Sequence, residues 1–503
     1  MNQIIWQRAG RRHFLQAASG LAAGALGIVR IGAEDLPEDN AVGMTRDNAA
    51  RIRPWTENPR YWQYLGNPVM LLGGSKTDHL FLADDLKAHL DEMKSVGANY
   101  VRNTMSQREA PELKPYQLLP DGKFDLDQWN EDYWQRFASM LKWTAEREII
   151  VQIEVWDRFD YSQQNWEGSP WNPRNNNNYT SEQSGLAQTY PQPAYDPGQP
   201  FFYTVPKIEN YNGAKSELIR KYQEAFVDKM LSLSLPYGHV RYCINNETAT
   251  PAAWGKYWIE FIQARAAAQN VFVCTTDMFD DAFEGANAKN TSLIFDDPQH
   301  YMFADISQVN SRNYDEQHWN QLLTLLQLVK KHPRPSNHTK IYGSGYYTFG
   351  SGGPEDGVER FWRDILGGSA SARFHRPDWG NGLNDFAKAS IQAARLLEDR
   401  IKFWDLAPHM ELLSDRASNE AYVAAKPGES YAVYFTNGGS VGLDLTKASG
   451  TYDITWISVS MGRVVESSEK MGYRLMDKTL EGGGIVTLSA PYKGGWVAAI
   501  AKH

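Results

Sequence analysis

Two cysteines in 503 residues rule out a disulfide framework. Both, Cys243 and Cys274, fall inside segments that read as strands, so buried free thiols are expected. No further His, Cys or acidic residues stand at metal-ligand spacing beside them, so neither a metal nor a cofactor is called for. There is no Lys/Arg-rich stripe, and the formal net charge is −9, which argues against a nucleic-acid partner. Beyond the first thirty residues no apolar run is long enough to cross a bilayer, so no transmembrane segment is expected in the mature chain. No G-x-G-x-x-G follows the first strand, which disfavours a dinucleotide-binding sheet, and no solenoid period recurs. Nothing in the sequence fixes an oligomeric state.

The N-terminus carries Arg11-Arg12-His13-Phe14-Leu15-Gln16, which resembles the twin-arginine export motif. A mildly apolar run over residues 17–29 follows, and Ile31-Gly32-Ala33 offers small residues for cleavage. Residues 1–33 therefore read as a signal peptide, and the mature protein is expected in the periplasm or outside the cell.

From Pro68 onward, short apolar runs alternate with amphipathic ones. That rhythm predicts parallel strands joined by crossover helices. Eight units can be counted, with strands at residues 69–74, 100–103, 149–156, 240–247, 271–276, 302–307, 340–344 and 372–375. Helices are expected near 84–96, 128–146, 214–231, 252–268, 316–331, 357–366 and 386–403, with a short helical piece after strand five. Residues 292–295 read as an extra strand or as a competitor for strand six. Eight repeats predict a closed (β/α)₈ TIM barrel over residues 34–407. Its longest connection, 158–213, is rich in Asn, Gln, Tyr, Pro and Gly and belongs to the face where barrel sites are built. After Pro408 the pattern turns to short alternating runs separated by glycine, which predicts a small all-β sandwich over 408–503.

Strand four ends Asn245-Asn246-Glu247, which places a carboxyl group at the barrel mouth, where it can protonate a leaving oxygen. Asn246 beside it is a candidate to hold a sugar hydroxyl. Other carboxylates reach the same face: Glu154 and Asp157 at the end of strand three, Asp277 after strand five, and Asp305 on strand six. Glu154 and Asp277 flank strand four and are the candidates for a second catalytic carboxylate. Arg102, Trp156, Arg373 and His375 are strand-end groups suited to hydroxyls or a uronate. The chain has 17 Trp and 26 Tyr, and flat rings with a polar edge suit sugar faces, although large barrels also use them as core.

The Asn246-Glu247 pair on strand four resembles the large clan of barrel glycoside hydrolases whose acid/base follows an Asn there. With Phe303-Ala304-Asp305-Ile306-Ser307-Gln308, the barrel looks similar in layout to the apiosidase-like members. The C-terminal segment resembles the so-called collagen-binding domain family that follows such barrels. This rests on Lys426-Pro427-Gly428, Tyr431-Ala432-Val433-Tyr434, Leu443-Asp444-Leu445, Thr451-Tyr452, Trp456, Pro491 and Trp496-Val497. The resemblance implies an exported glycosidase acting on poly- or oligosaccharide, with Glu247 as general acid/base. It also implies a nucleophilic Glu at the end of strand seven, and there this chain departs: residues 340–347 hold no carboxylate. Glu355 and Asp356, further on, sit where acids favour a helix N-terminus. The departure predicts inversion rather than retention for an enzyme. It equally suits a non-catalytic carbohydrate-binding protein on a degenerate barrel. A surface-attachment scaffold is a further reading, and it predicts that residues 410–503 can be removed without unfolding the barrel.

Overall fold

Along residues 150–155 the polar Gln152 and Glu154 alternate with the apolar Val151, Ile153 and Val155, and the polar pair faces inward. The computed structural model describes residues 44–106, 113–191, 200–206, 208–280, 291–310, 314–345, 351–465 and 478–503. The twin-arginine segment lies outside them. Eight parallel strands, β1 (Leu71–Gly74), β2 (Tyr100–Thr104), β3 (Ile150–Asp157), β4 (Val240–Asn246), β5 (Thr275–Thr276), β6 (Ala304–Asp305), β7 (Ser336–Ile341) and β8 (Ser371–Phe374), form one sheet in the order β5-β4-β3-β2-β1-β8-β7-β6. The sheet closes on itself where Met302 N–H donates to the Thr275 carbonyl at 2.8 Å and Thr276 Oγ1 donates to that of Phe303 at 2.6 Å. The fold is a TIM barrel, with helices α1 (Leu86–Ser95), α2 (Glu131–Ala145), α3 (Gly213–Ser234), α4 (Ala252–Ala268), α5 (Thr291–Asp296), α6 (Asp315–Val329), α7 (Pro354–Gly367) and α8 (Asp385–Glu398). No helix among the described residues is long and apolar enough to cross a membrane.

Several elements depart from the sequence reading. Residues 292–295, read as a strand, lie in the α5 helix. β5 shrinks to two residues because the backbone of Phe272 is taken from the ladder. Its N–H donates to Asn48 Oδ1 at 2.6 Å, and its carbonyl accepts from Arg51 at 2.8 Å. β7 begins at Ser336, four residues before the expected start. The described parts of the 158–213 connection are no open loop: they carry short helices, and their own Trp166, Trp171 and Phe201 are buried. It also engages an unforeseen hairpin, Tyr116–Leu118 with Phe124–Trp129, where Asn178 Oδ1 accepts the Leu126 N–H at 2.7 Å.

An antiparallel sheet of Arg53–Pro54, Trp62–Tyr64 and Asn67–Val69 precedes β1. From it Trp62 closes the lower barrel, its ring 4.5 Å from the buried Arg241 guanidinium. The C-terminal strands are β9 (Ala421–Lys426), β10 (Ser430–Phe435), β11 (Ser440–Asp444), β12 (Thr451–Ser458), β13 (Ile485–Ser489) and β14 (Trp496–Lys502). They form two antiparallel sheets, with β9-β10-β14-β12 as the heart of the larger and β11-β13 as that of the smaller. Val423, Val433, Phe435, Leu443, Leu488 and Trp496 fill the space between them. The strand Ala407–Pro408 already pairs with Ala424 and Ala425 of β9.

Candidate functional site

The inward residues of the upper barrel form a charged network rather than the branched aliphatic layers common in this fold. At its base, Gln152, Asp305 and Thr339 are linked, with Thr339 Oγ1 donating to Asp305 Oδ2 at 2.6 Å. Above them Arg102 bridges two acids: its Nη2 lies 2.7 Å from Glu154 Oε2 and its Nη1 lies 2.9 Å from Asp78 Oδ2. Asp78, on the turn after β1, also faces Arg373 at 3.3 Å, His375 at 3.8 Å and Arg376 at 3.8 Å. Burial would raise the Asp78 carboxyl, but Arg102 first, with Arg373 and Arg376, holds it well below the usual range. Burial raises Glu154 against the pull of Arg102 and Lys340. It likewise pushes His375 well below the ordinary imidazole value despite Asp78.

At the rim, β4 ends at Asn246 and Glu247 turns off it with φ +54°, a left-handed backbone that non-glycine residues seldom adopt. The Glu247 side chain is 17% exposed and its Oε1 accepts from the Lys340 ammonium of β7, which is itself buried. Arg158, on the turn after β3, approaches Oε2 at 3.9 Å. Burial would raise the Glu247 carboxyl; Lys340, Arg158 and Arg102 outweigh it and hold it down at about 2. Lys340 also donates to Asn246 Oδ1 at 2.6 Å, and Asn246 Nδ2 donates to Asp157 Oδ2 at 3.0 Å.

The structure thus gathers Glu247, Asn246 and Asp157 at one point of the rim, and Arg102, Glu154, Arg373 and His375 in a buried cluster around Asp78. Asn246, expected to hold a sugar hydroxyl, has its oxygen engaged by Lys340 and its amide group by Asp157. Glu154 has no exposed side-chain surface. Asp305 is buried at the base of the network. Asp277 turns away from the mouth toward α4, where a Cβ on Gly255 would collide with its Oδ2. There it accepts from Asn245 Nδ2 at 2.9 Å and from the Met278 N–H at 2.9 Å, and burial pushes it up to about 7. Trp156 faces the helices: it packs on Phe226, Trp254 and Trp258 and is buried. Most other tryptophans among the described residues are core as well, and none of those described is an exposed large hydrophobic residue.

Lys340 and Asp78 had no place in the sequence-derived site. Lys340 was legible only as the absence of a carboxylate on strand seven. Asp78 lies on a turn that the strand pattern does not reach. Asp356 and Glu355 occupy the first turn of α7, where Asp356 Oδ2 accepts from the Gly352 N–H at 2.8 Å. Among the described residues no group of three or more His, Cys, Asp or Glu is placed to hold a metal ion.

No family model matches the chain, and no curated protein matches it. Solved structures do. A glycoside hydrolase family 5 protein from Bacteroides vulgatus superposes with a TM-score of 0.59 at 12% identity, over 92% of this chain and 95% of its own. A second, described as a glycoside hydrolase, gives 0.58 at 12% identity over 90% and 97%. Both are matched along nearly their whole length, barrel and C-terminal sheets together, so the likeness is one of fold.

Proposed function

We propose that this chain is an exported glycoside hydrolase acting on poly- or oligosaccharide, with its chemistry centred on Glu247. The observation that carries the proposal is the placement of Glu247, a partly exposed carboxylate at the rim of β4, on a left-handed residue, in a barrel shaped like those of glycoside hydrolases. Its environment changes the role read from the sequence. A carboxyl held at about 2 by Lys340 is ionised at neutral pH and has no proton to give to a leaving oxygen. Glu247 therefore serves as the carboxylate that activates water, consistent with inversion. Export by the twin-arginine route, to the periplasm or beyond, rests on Arg11-Arg12 and the run to Ala33. Binding without turnover is the second reading, motivated by the same ammonium, which engages one of the two carboxylate oxygens, Oε1.

The test is a panel of plant and microbial glycans incubated with the wild-type protein and with Glu247→Gln. At least one glycan is cleaved by the wild type, and the variant loses about 10²–10⁴-fold in rate. A variant at full rate removes Glu247 from the chemistry. Sugar binding by calorimetry with no product after long incubation establishes the second reading instead.

A further inference from the structure

We propose that Asp280, on the turn that follows β5, is the second catalytic carboxylate and faces Glu247 across the Arg158 guanidinium. The inference rests on the hydrolase reading and supplies the acid that reading lacks. Its first support is backbone geometry. Thr248 N–H donates to the Met278 carbonyl at 2.8 Å and Asp280 N–H donates to that of Thr248 at 3.0 Å, with Thr248 and Phe279 paired in parallel. The β4–β5 ladder therefore continues past the rim and sets Asp280 beside the residue that follows Glu247.

The second support is a shared cation. Arg158 Nη2 lies 2.9 Å from Asp280 Oδ2 and 3.9 Å from Glu247 Oε2, so those oxygens stand at most about 7 Å apart. Glycosidase pairs need about 5–5.5 Å for retention and about 6.5–9.5 Å for inversion, and that limit admits both. The third support is access. The Asp280 side chain is 36% exposed, whereas Glu154, Asp277 and Asp305 are buried. Among the described residues, the groups that face Asp280 are Arg158 after β3, Glu247 after β4, and Lys340 and Tyr342 at the end of β7. Burial and the Glu247 charge raise the Asp280 carboxyl against Arg158 and Lys340, while Glu247 is held low. Of the two carboxyls, Asp280 is therefore the one that takes up a proton first as pH falls.

In the step this allows, the Asp280 proton passes to the glycosidic oxygen as the bond from that oxygen to the anomeric carbon breaks. The oxygen of a water bonds to the anomeric carbon from the opposite face, and its proton passes to the Glu247 carboxylate. One glycoside and one water give two sugars, and solvent returns the proton from Glu247 to Asp280.

The experiment compares wild type and Asp280→Asn on paired methyl and dinitrophenyl glycosides of the common hexoses and pentoses, with thermal melting to verify the fold. The methyl glycoside needs an acid and the dinitrophenyl glycoside does not. The expected result is a loss of about 10²–10⁴-fold on the methyl substrate and a far smaller loss on the dinitrophenyl one. The alkaline limb of the kcat/KM profile disappears with it. Equal losses on both substrates, or a variant that keeps its alkaline limb, overturn the assignment while leaving the hydrolase reading intact. A wild-type protein that releases no aglycone from these glycosides and no product from the glycan panel overturns the hydrolase reading and the assignment together.

Discussion

Lys340 decides how the site titrates. Its ammonium is 1% exposed and touches both Asn246 and Glu247, so it fixes the rim while it stabilises the Glu247 charge. Replacing it as Lys340→Met removes the largest of the cations that outweigh burial, and the Glu247 carboxyl is expected to climb from about 2 toward its ordinary value. A carboxyl depressed in the folded state stabilises the fold above its unfolded pKa, and that contribution is lost as pH falls through the folded value. At pH 7 the variant should be less stable by up to about 3 kcal/mol, discounted for the water that reaches the rim. The deficit should shrink as pH drops from about 5 toward 2, which denaturant melts across pH can follow. The acidic limb of any pH–rate profile should move upward in the same variant. Little of this was legible beforehand. Glu247 stood out because a strand ended on it, whereas Lys340 opened the expected strand seven and gave no sign that its ammonium reaches Glu247. Trp156 was misassigned because an aromatic at a strand end reads the same whether it faces the mouth or a helix.

At the level of elements, the strands that were easiest to read are those with an apolar outward face. β3 keeps Val151 and Ile153 buried and β4 keeps Tyr242 and Ile244 buried, and both lie within a residue of their expected bounds. β7 was placed late because Ser336, Asn337, His338, Thr339 and Lys340 are all polar. Its inward residues serve the charged network, and outward His338 lies 3.4 Å from the buried Asp364 of α7. Periodicity detects burial only where burial is apolar, and here both faces of one strand bury polar groups. The contact between α4 and β5 gives a direct test of element packing. Gly255 presses against Asp277, which is locked by Asn245 and Met278. Gly255→Ala forces that carboxylate or the helix to shift, at an expected cost of about 1–3 kcal/mol, read as a lower denaturation midpoint with an unchanged slope. A neutral result would show that α4 slides freely on the barrel.

At the scale of the whole molecule, the barrel and the C-terminal sheets are not separable by their cores. The larger sheet is apolar on both faces: Val423, Val433 and Phe435 fill the sandwich, while Tyr422, Ala424, Ala432, Tyr434, Val497 and Ala499 join the buried core of the barrel. Trp362 of α7 stacks on Tyr434 with ring centroids 5.4 Å apart, and Trp319 of α6 meets Tyr422 at 4.9 Å. The alternation after Pro408 predicted a sandwich but not this second face, because alternation in an edge domain is ordinarily read as one face in and one face out. The scaffold reading required that the barrel survive without residues 410–503. The shared core predicts the opposite. A chain ending at Leu406 exposes the rings of Trp319 and Trp362 along with the outer surfaces of α6 and α7, a contiguous apolar patch of the kind soluble proteins rarely tolerate. Burying one aromatic side chain is worth about 3 kcal/mol or more, so losing several such contacts approaches the whole stability of a typical domain, about 5–15 kcal/mol. The truncated protein should therefore aggregate or melt far below the full chain. Trp362→Ala in the intact chain should cost about 3–5 kcal/mol in a single cooperative transition. Two separate melting transitions in the full-length protein, with the barrel unchanged after truncation, would show that the two parts are independent.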